Sequence, residues 1–145
     1  MTARPPRPLA ALSRRLALLA MMTAAYYLTG RLGLMLSIPP GFATAIWPPS
    51  GLALAAVLLL GPGIWPGIAL GALLLNLHPP EAMSLPALGG ALILPAVIAA
   101  GASAQALAGG FLVRRLGGYP NSLTSLRQIA ALLVHGGLLA CLISA

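Results

Sequence analysis

Five apolar runs follow one another along the chain and predict five helical membrane elements. Proline and glycine clusters separate them, and a short Pro- and Arg-rich stretch, residues 1–15, precedes the first and is predicted to be a basic cytoplasmic tail. The pattern predicts an all-α, polytopic transmembrane helical bundle. The approximate bounds of its elements are residues 16–38, 42–60, 64–77, 85–116 and 127–145.

The second and third runs are short, and two arrangements fit them. A helix over residues 50–60 rises about 16 Å and one over residues 64–77 about 21 Å, whereas a hydrocarbon core is about 30 Å thick. The two runs form either one bent helix or a hairpin that turns at Gly61-Pro62-Gly63. With the N-terminus in the cytoplasm, only the hairpin keeps Arg114, Arg115 and Arg127 on the cytoplasmic side, so the positive-inside tendency favours it.

The sequence Trp47-Pro48-Pro49-Ser50 interrupts the second run. Since residues 50–60 are too short to cross alone, we expect residues 42–49 to complete the crossing partly as extended chain, with a helix beginning near Ser50. Such backbone survives at membrane depth only where protein buries it or where it lines a watery cavity. The exposed N–H groups of the helix start would suit an anionic or polar ligand. Alternatively, Trp47 and Trp65 are interfacial residues and the prolines only end helices.

Polar residues within the apolar runs are the other candidates for a binding site. Arg31, Asn76, Ser103, Gln105 and His135 would be costly to expose to lipid, so each is predicted to line a polar cavity or to hydrogen bond between helices. The sequence Gly67-x-x-x-Gly71 indicates close packing of helix backbones.

The amino-acid composition indicates that lipid, rather than water, surrounds most of the chain, and it excludes a soluble globular domain. Hydrophobic residues make up 59% of the 145 positions and charged residues 6%, against about 25% charged in soluble domains. The net charge of +7 comes from eight arginines against Glu81 alone. We interpret these arginines as topology signals and expect no nucleic-acid partner.

The sequence offers no catalytic or cofactor-binding constellation. A single acidic residue excludes paired carboxylates and a Ser-His-Asp triad, and neither phosphate-binding nor dinucleotide-binding motifs occur. Cys141 is the only cysteine, and His78 and His135 lie far apart in the chain. We therefore expect no enzyme activity, no metal site and no cofactor.

Several motifs together resemble those of a known family. The stretch from Tyr26 to Leu77, YYLTGRLGLMLSIPPGFATAIWPPSGLALAAVLLLGPGIWPGIALGALLLNL, is similar to the opening of the membrane-associated sensor (MASE) domain of the first type. The shared motifs are Arg-Leu-Gly-Leu from Arg31, Trp-Pro-Pro-Ser-Gly from Trp47, Trp-Pro-Gly from Trp65 and the asparagine at Asn76. GASAQALAGGFLVRRL, residues 101–116, is similar to a later helix of that family.

The resemblance implies a bacterial, multi-pass input domain of the plasma (inner) membrane, usually of about eight helices, here present in part over residues 16–145. Such domains generally precede histidine kinase, diguanylate cyclase or phosphodiesterase modules, and those proteins generally act as dimers. The expected partners are the lipid bilayer, an unknown small ligand, and a membrane protein or second copy. The alternatives are a small transporter-like or structural membrane protein and a nonfunctional fragment. The candidate ligand-binding or signalling residues are Trp47, Pro48, Pro49, Ser50, Asn76, Gln105 and Arg31.

Overall fold

The computed structural model describes residues 8–36, 47–77 and 85–116, together with four single positions between residues 130 and 136. Within these residues the chain is helical and contains no strand, as the apolar pattern predicts. Apart from those four positions, the predicted fifth element lies outside the described part of the chain, as do His78, Glu81, His135 and Cys141. The helices are α1 (Pro8–Met35), α2 (Pro48–Leu60), α3 (Trp65–Asn76) and α4 (Leu85–Leu116), with a 3₁₀ turn (Pro62–Ile64) between α2 and α3.

Helix α1 begins at Pro8, eight residues before the predicted start of the first element. Proline fits the first turn of a helix, and the leucines, alanines and arginines that follow are good helix formers. The basic tail predicted over residues 1–15 is therefore helical in its second half. Arg14 and Arg15 belong to α1 and lie on its surface.

Among the described residues, two helices are long and apolar enough to cross a membrane, Leu9–Met35 and Ala91–Arg115. In the first helix, only 11% of the residues in the most apolar stretch are buried inside the molecule. In the second helix the share is 22%. A core helix of a soluble protein would be mostly buried, whereas these helices present leucines, isoleucines and valines outward. Their outward apolar surface supports a membrane location.

Helix α2 begins at Pro48, two residues before the predicted start near Ser50, so Pro48 and Pro49 are helical and do not belong to the extended chain expected over residues 42–49. Both prolines occupy the first turn of the helix. Backbone N–H groups in this turn have no intrahelical acceptor, so the lack of an N–H costs nothing there, and the fixed φ of proline is already helical. Trp47, the first described residue here, has non-helical backbone with φ −114° and ψ 83°.

The chain reverses between α2 and α3, so the two short helices form the hairpin. Gly61, with φ +91°, takes a backbone conformation that other residues rarely adopt. Along α3, Gly67 lies against Leu19 and Gly71 against Tyr26, which makes α3 parallel to α1. Helix α2 runs the opposite way, because Trp47 at its start contacts Gly33 near the end of α1.

The two glycines of Gly67-x-x-x-Gly71 bring α3 against α1. A Cβ atom on Gly71 would lie 2.7 Å from the Cβ of Tyr26, and one on Gly67 would lie 2.9 Å from the carbonyl oxygen of Leu19. The Thr23 hydroxyl donates a hydrogen bond of 3.1 Å to the Gly67 carbonyl across this interface. The sequence predicted a close approach here, and the structure gives α1 as the partner helix.

Helix α4 completes the described bundle by packing on both α2 and α3. Near its end, Nη2 of Arg114 donates hydrogen bonds of 2.9 Å to the carbonyls of Val57 and Leu58 in the last turn of α2. This places Arg114 at the same end of the bundle as the turn between α2 and α3.

Candidate functional site

A cavity of about 480 Å³ lies among the four helices, on the side away from the α2–α3 turn. Helix α2 contributes its first turns, α3 its last residue, α1 one tyrosine and α4 its middle third. The described lining residues are Tyr26, Trp47, Ser50, Ala53, Asn76, Val97, Ile98, Gly101, Ala102, Gln105 and Ala106.

Trp47 forms one wall of the cavity and is fixed by two contacts with α1. Its six-membered ring lies 3.5 Å from the position that a Cβ on Gly33 would occupy, so the indole packs over this glycine. The side chains of Trp47 and Tyr26 are hydrogen bonded. Because an indole N–H only donates, the Tyr26 oxygen is the acceptor.

Ser50 lines the cavity, but its polar groups close the first turn of α2. The hydroxyl donates to the Trp47 carbonyl at 2.9 Å, and the Ser50 N–H reaches the same oxygen at 3.2 Å. Positions Pro48 and Pro49 have no N–H to donate. The helix start therefore does not present the free N–H groups expected for an anion, since two of the donors are absent and the third is used locally.

Asn76 and Gln105 reach the same cavity from different helices, α3 and α4. Asn76 is the last residue of α3, and its Nδ2 donates a hydrogen bond of 2.8 Å to the Ala72 carbonyl. Gln105 lies about one turn after Gly101 on the cavity face of α4. The two amides that the sequence singled out are thus brought together by the packing of α3 on α4.

The remaining candidates lie elsewhere. Pro49 is fully buried in the bundle, and Pro48 is exposed beside the cavity rather than in its lining. Arg31 is exposed on α1 and does not line the cavity. Ser103 is buried, but its hydroxyl donates to the Ala99 carbonyl of its own helix at 2.8 Å.

Tyr26 is a lining residue that was not among the sequence candidates. It is 4% exposed, and it packs against Gly71 while its hydroxyl end meets Trp47. The sequence could have indicated Tyr26, because it places a tyrosine in the middle of a membrane helix. A buried tyrosine hydroxyl usually has a hydrogen-bond partner. The small residues Gly101 and Ala102 carried no such signal, since they create space rather than contacts.

The chemistry of the lining suits a small uncharged molecule. Hydroxyl and amide groups can hydrogen bond to a ligand, and the indole ring with the alanine, valine and isoleucine side chains supplies an apolar wall. No described lining residue is charged, so an ionic ligand would be desolvated without a counter-charge. The volume falls within the range of ligand sites, about 300–1,000 Å³.

Comparison with known proteins gives one match. The model of the MASE1 family matches residues 17–145, which is nearly the whole chain. This confirms the family that the Arg-Leu-Gly-Leu, Trp-Pro-Pro-Ser-Gly and Trp-Pro-Gly motifs indicated. No curated protein and no solved structure matches the chain.

Proposed function

Because this chain belongs to the MASE1 family of membrane-associated sensory domains, we propose that it is an input domain of a bacterial signalling protein, and that its cavity binds a small uncharged ligand. In this proposal the chain has no catalytic activity of its own. Its normal outputs are histidine kinase or cyclic-di-GMP modules joined to such a domain.

The observation that carries this proposal is the meeting of polar residues from separate helices. One cavity is lined by Trp47 just before α2, Ser50 on α2, Asn76 on α3 and Gln105 on α4, although up to 58 positions separate them in the chain. Polar side chains in membrane helices are costly unless they are paired or face a cavity. Their convergence favours a ligand site over four independent packing contacts.

Arginine placement supports an orientation in the plasma (inner) membrane. Nη2 of Arg15 lies 4.0 Å from the position that a Cβ on Gly63 would take, and Arg114 binds the last turn of α2. Arg14 and Arg115 are their neighbours in sequence, so four arginines lie at the end with the α2–α3 turn. The positive-inside rule assigns this end, and with it the N-terminus, to the cytoplasm. The cavity then lies in the outer half of a multi-pass domain.

A cysteine-labelling experiment tests the outward-facing cavity. In a Cys141→Ser background, Ala102→Cys places the only thiol in the cavity lining. We expect a membrane-impermeant maleimide, added outside intact cells, to label this thiol, because a polar cavity admits water. Labelling is measured by the mass shift of the purified chain.

The matched control is Ala104→Cys in the same background. Ala104 lies two residues further along α4, in an apolar groove lined also by Trp65 and Leu107, and faces away from the cavity. We expect no labelling there. Equal labelling of both thiols, or of neither, would remove the support for a water-accessible cavity. Labelling of Ala102→Cys from both sides of the membrane would instead indicate a transporter-like protein.

The sensory role has a genomic test. We expect the gene's reading frame beyond codon 145 to continue through further helices into a kinase, cyclase or phosphodiesterase module. A stop codon directly after codon 145 would contradict an input domain that is fused to its output, and the signal would then have to pass to a partner membrane protein.

A further inference from the structure

A second concave surface lies at the other end of the bundle, between the start of α1 and the end of α2. One groove of about 630 Å³ is lined by Ala10, Ala11, Arg14, Arg15, Leu18, Leu59 and Leu60. It adjoins a smaller one of about 230 Å³ that shares Arg15, Leu18 and Leu60 and reaches Gly63 in the turn. We call the two together the inner groove.

The inner groove combines two positive charges with an outward apolar wall. Arg14 and Arg15 are exposed, and within the described residues neither guanidinium has a hydrogen-bond or ion-pair partner. Leu59 is 75% exposed and Leu60 is 54% exposed, directly beside these guanidinium groups. The two arginines complement the charged group of an amphipathic anion, and the leucine side chains beside them complement its apolar part.

The counter-charge has to come from outside the chain. The sequence contains eight arginines and one acidic residue, Glu81, so at most one arginine can be neutralised internally. Guanidinium groups bind phosphate through paired N–H donors, which makes an anionic phosphate group the best complement.

The depth of the two arginines agrees with a lipid headgroup. Arg15 and Arg31 are both exposed on α1 and lie sixteen residues apart, about 24 Å along its axis. A hydrocarbon core of about 30 Å then places the two arginines near its opposite edges, with Arg15 at the inner one, since long arginine side chains extend outward to the headgroups. The leucines of the groove then lie where acyl chains begin.

We propose that the inner groove is a binding site for an anionic phospholipid of the cytoplasmic leaflet. The lipid phosphate lies on Arg14 and Arg15, and one acyl chain runs along Leu18, Leu59 and Leu60. This site joins α1 to the α2–α3 turn and is separate from the outer cavity, so it stands or fails independently of the proposed sensory function.

The test measures lipid binding to the purified full chain in detergent by native mass spectrometry, with phosphatidylglycerol as the probe and phosphatidylcholine as the uncharged reference. We expect the wild type to prefer phosphatidylglycerol. The double variant Arg14→Gln with Arg15→Gln is expected to bind phosphatidylglycerol about thirtyfold more weakly, because each arginine near a headgroup contributes about 1 kcal/mol. Phosphatidylcholine binding should change little.

Two further variants keep the outcome interpretable. Arg31→Gln removes a charge from the same helix sixteen residues away, about 24 Å along its axis, and should leave phosphatidylglycerol binding unchanged. The pair Arg14→Lys with Arg15→Lys retains the charges and should keep the preference, which also controls for misfolding of the glutamine variant.

Three results would overturn the proposal. The first is equal binding of the two lipids by the wild type, and the second is an equal loss in Arg31→Gln and in the double glutamine variant. The third is displacement of phosphatidylglycerol by inorganic phosphate alone, which would identify a simple anion site in which the leucine wall has no role.

Discussion

Replacing Gly71 with leucine is expected to destabilise the bundle by about 3 kcal/mol or more, because overpacking at a backbone contact cannot be relieved by a flexible neighbour. The new Cβ alone would lie 2.7 Å from the Cβ of Tyr26 and 3.0 Å from the Thr23 carbonyl oxygen. Helix α3 would have to move away from α1. The displacement would also move Tyr26, which lines the cavity. Thermal stability of the purified chain in detergent measures the effect.

Gly51→Leu is the matched control for this substitution. Gly51 is an exposed helical glycine in α2, and a Cβ atom placed on it meets nothing within 4 Å. The same change should therefore leave stability unchanged or raise it slightly, since glycine is a poor helix former. Similar losses at both positions would show that the close approach of α3 to α1 is not what stabilises the bundle.

Replacing Arg114 with methionine is expected to destabilise the chain by about 2 kcal/mol and to loosen the last turn of α2. The guanidinium donates to the carbonyls of Val57 and Leu58 in the last turn of α2, where the Val57 carbonyl also accepts from the Gly61 N–H at 3.1 Å. Hydrogen bonds to charged groups contribute about 1.5–3 kcal/mol each, and we count mainly the part-buried bond to Val57 because the bond to Leu58 is exposed. Hydrogen exchange of the α2 amides locates the change, and thermal unfolding gives its size.

Arg115→Met is the control for the loss of charge. Arg115 lies at the same end of α4, with its guanidinium carbon 5.6 Å from the centre of the Phe111 ring. An exposed cation–π contact is worth about 0.5–1 kcal/mol, so the loss should be smaller and α2 exchange should not change. If the two variants behave alike, net charge at this end matters rather than the contact with α2.

In the proposed sensor, the Arg114 contact would link the cavity to the end of the bundle that holds the α2–α3 turn. Gln105 lines the cavity, and Arg114 follows on the same helix nine residues later, about 14 Å along its axis. A ligand that shifts α4 would therefore pull on the end of α2. In the proposed sensor this is the link that Arg114→Met would weaken.

The sequence alone determined the class of the protein and the positions of most helices. An apolar fraction of 59% with 6% charged residues requires lipid as solvent, and the bounds predicted for the fourth element agree with α4. The family also followed from local motifs, because Trp-Pro-Pro-Ser-Gly and its companions are contiguous in the chain. Such features depend on neighbouring residues and are visible without a fold.

The tertiary structure decided which of the candidate residues share a site. Asn76 and Gln105 line the same cavity because α3 packs on α4. Arg31 lies on the outward face of α1, and the hydrophobic pattern of this helix does not distinguish its outward face from its inward face. The role of the two prolines also changed, since their place inside the first turn of α2 removes the donors that the sequence suggested for an anion. Helix formation depends on a few consecutive residues, but a cavity depends on distances between helices, and here the distance between α1 and α3 is set by two glycines that contribute no side chain.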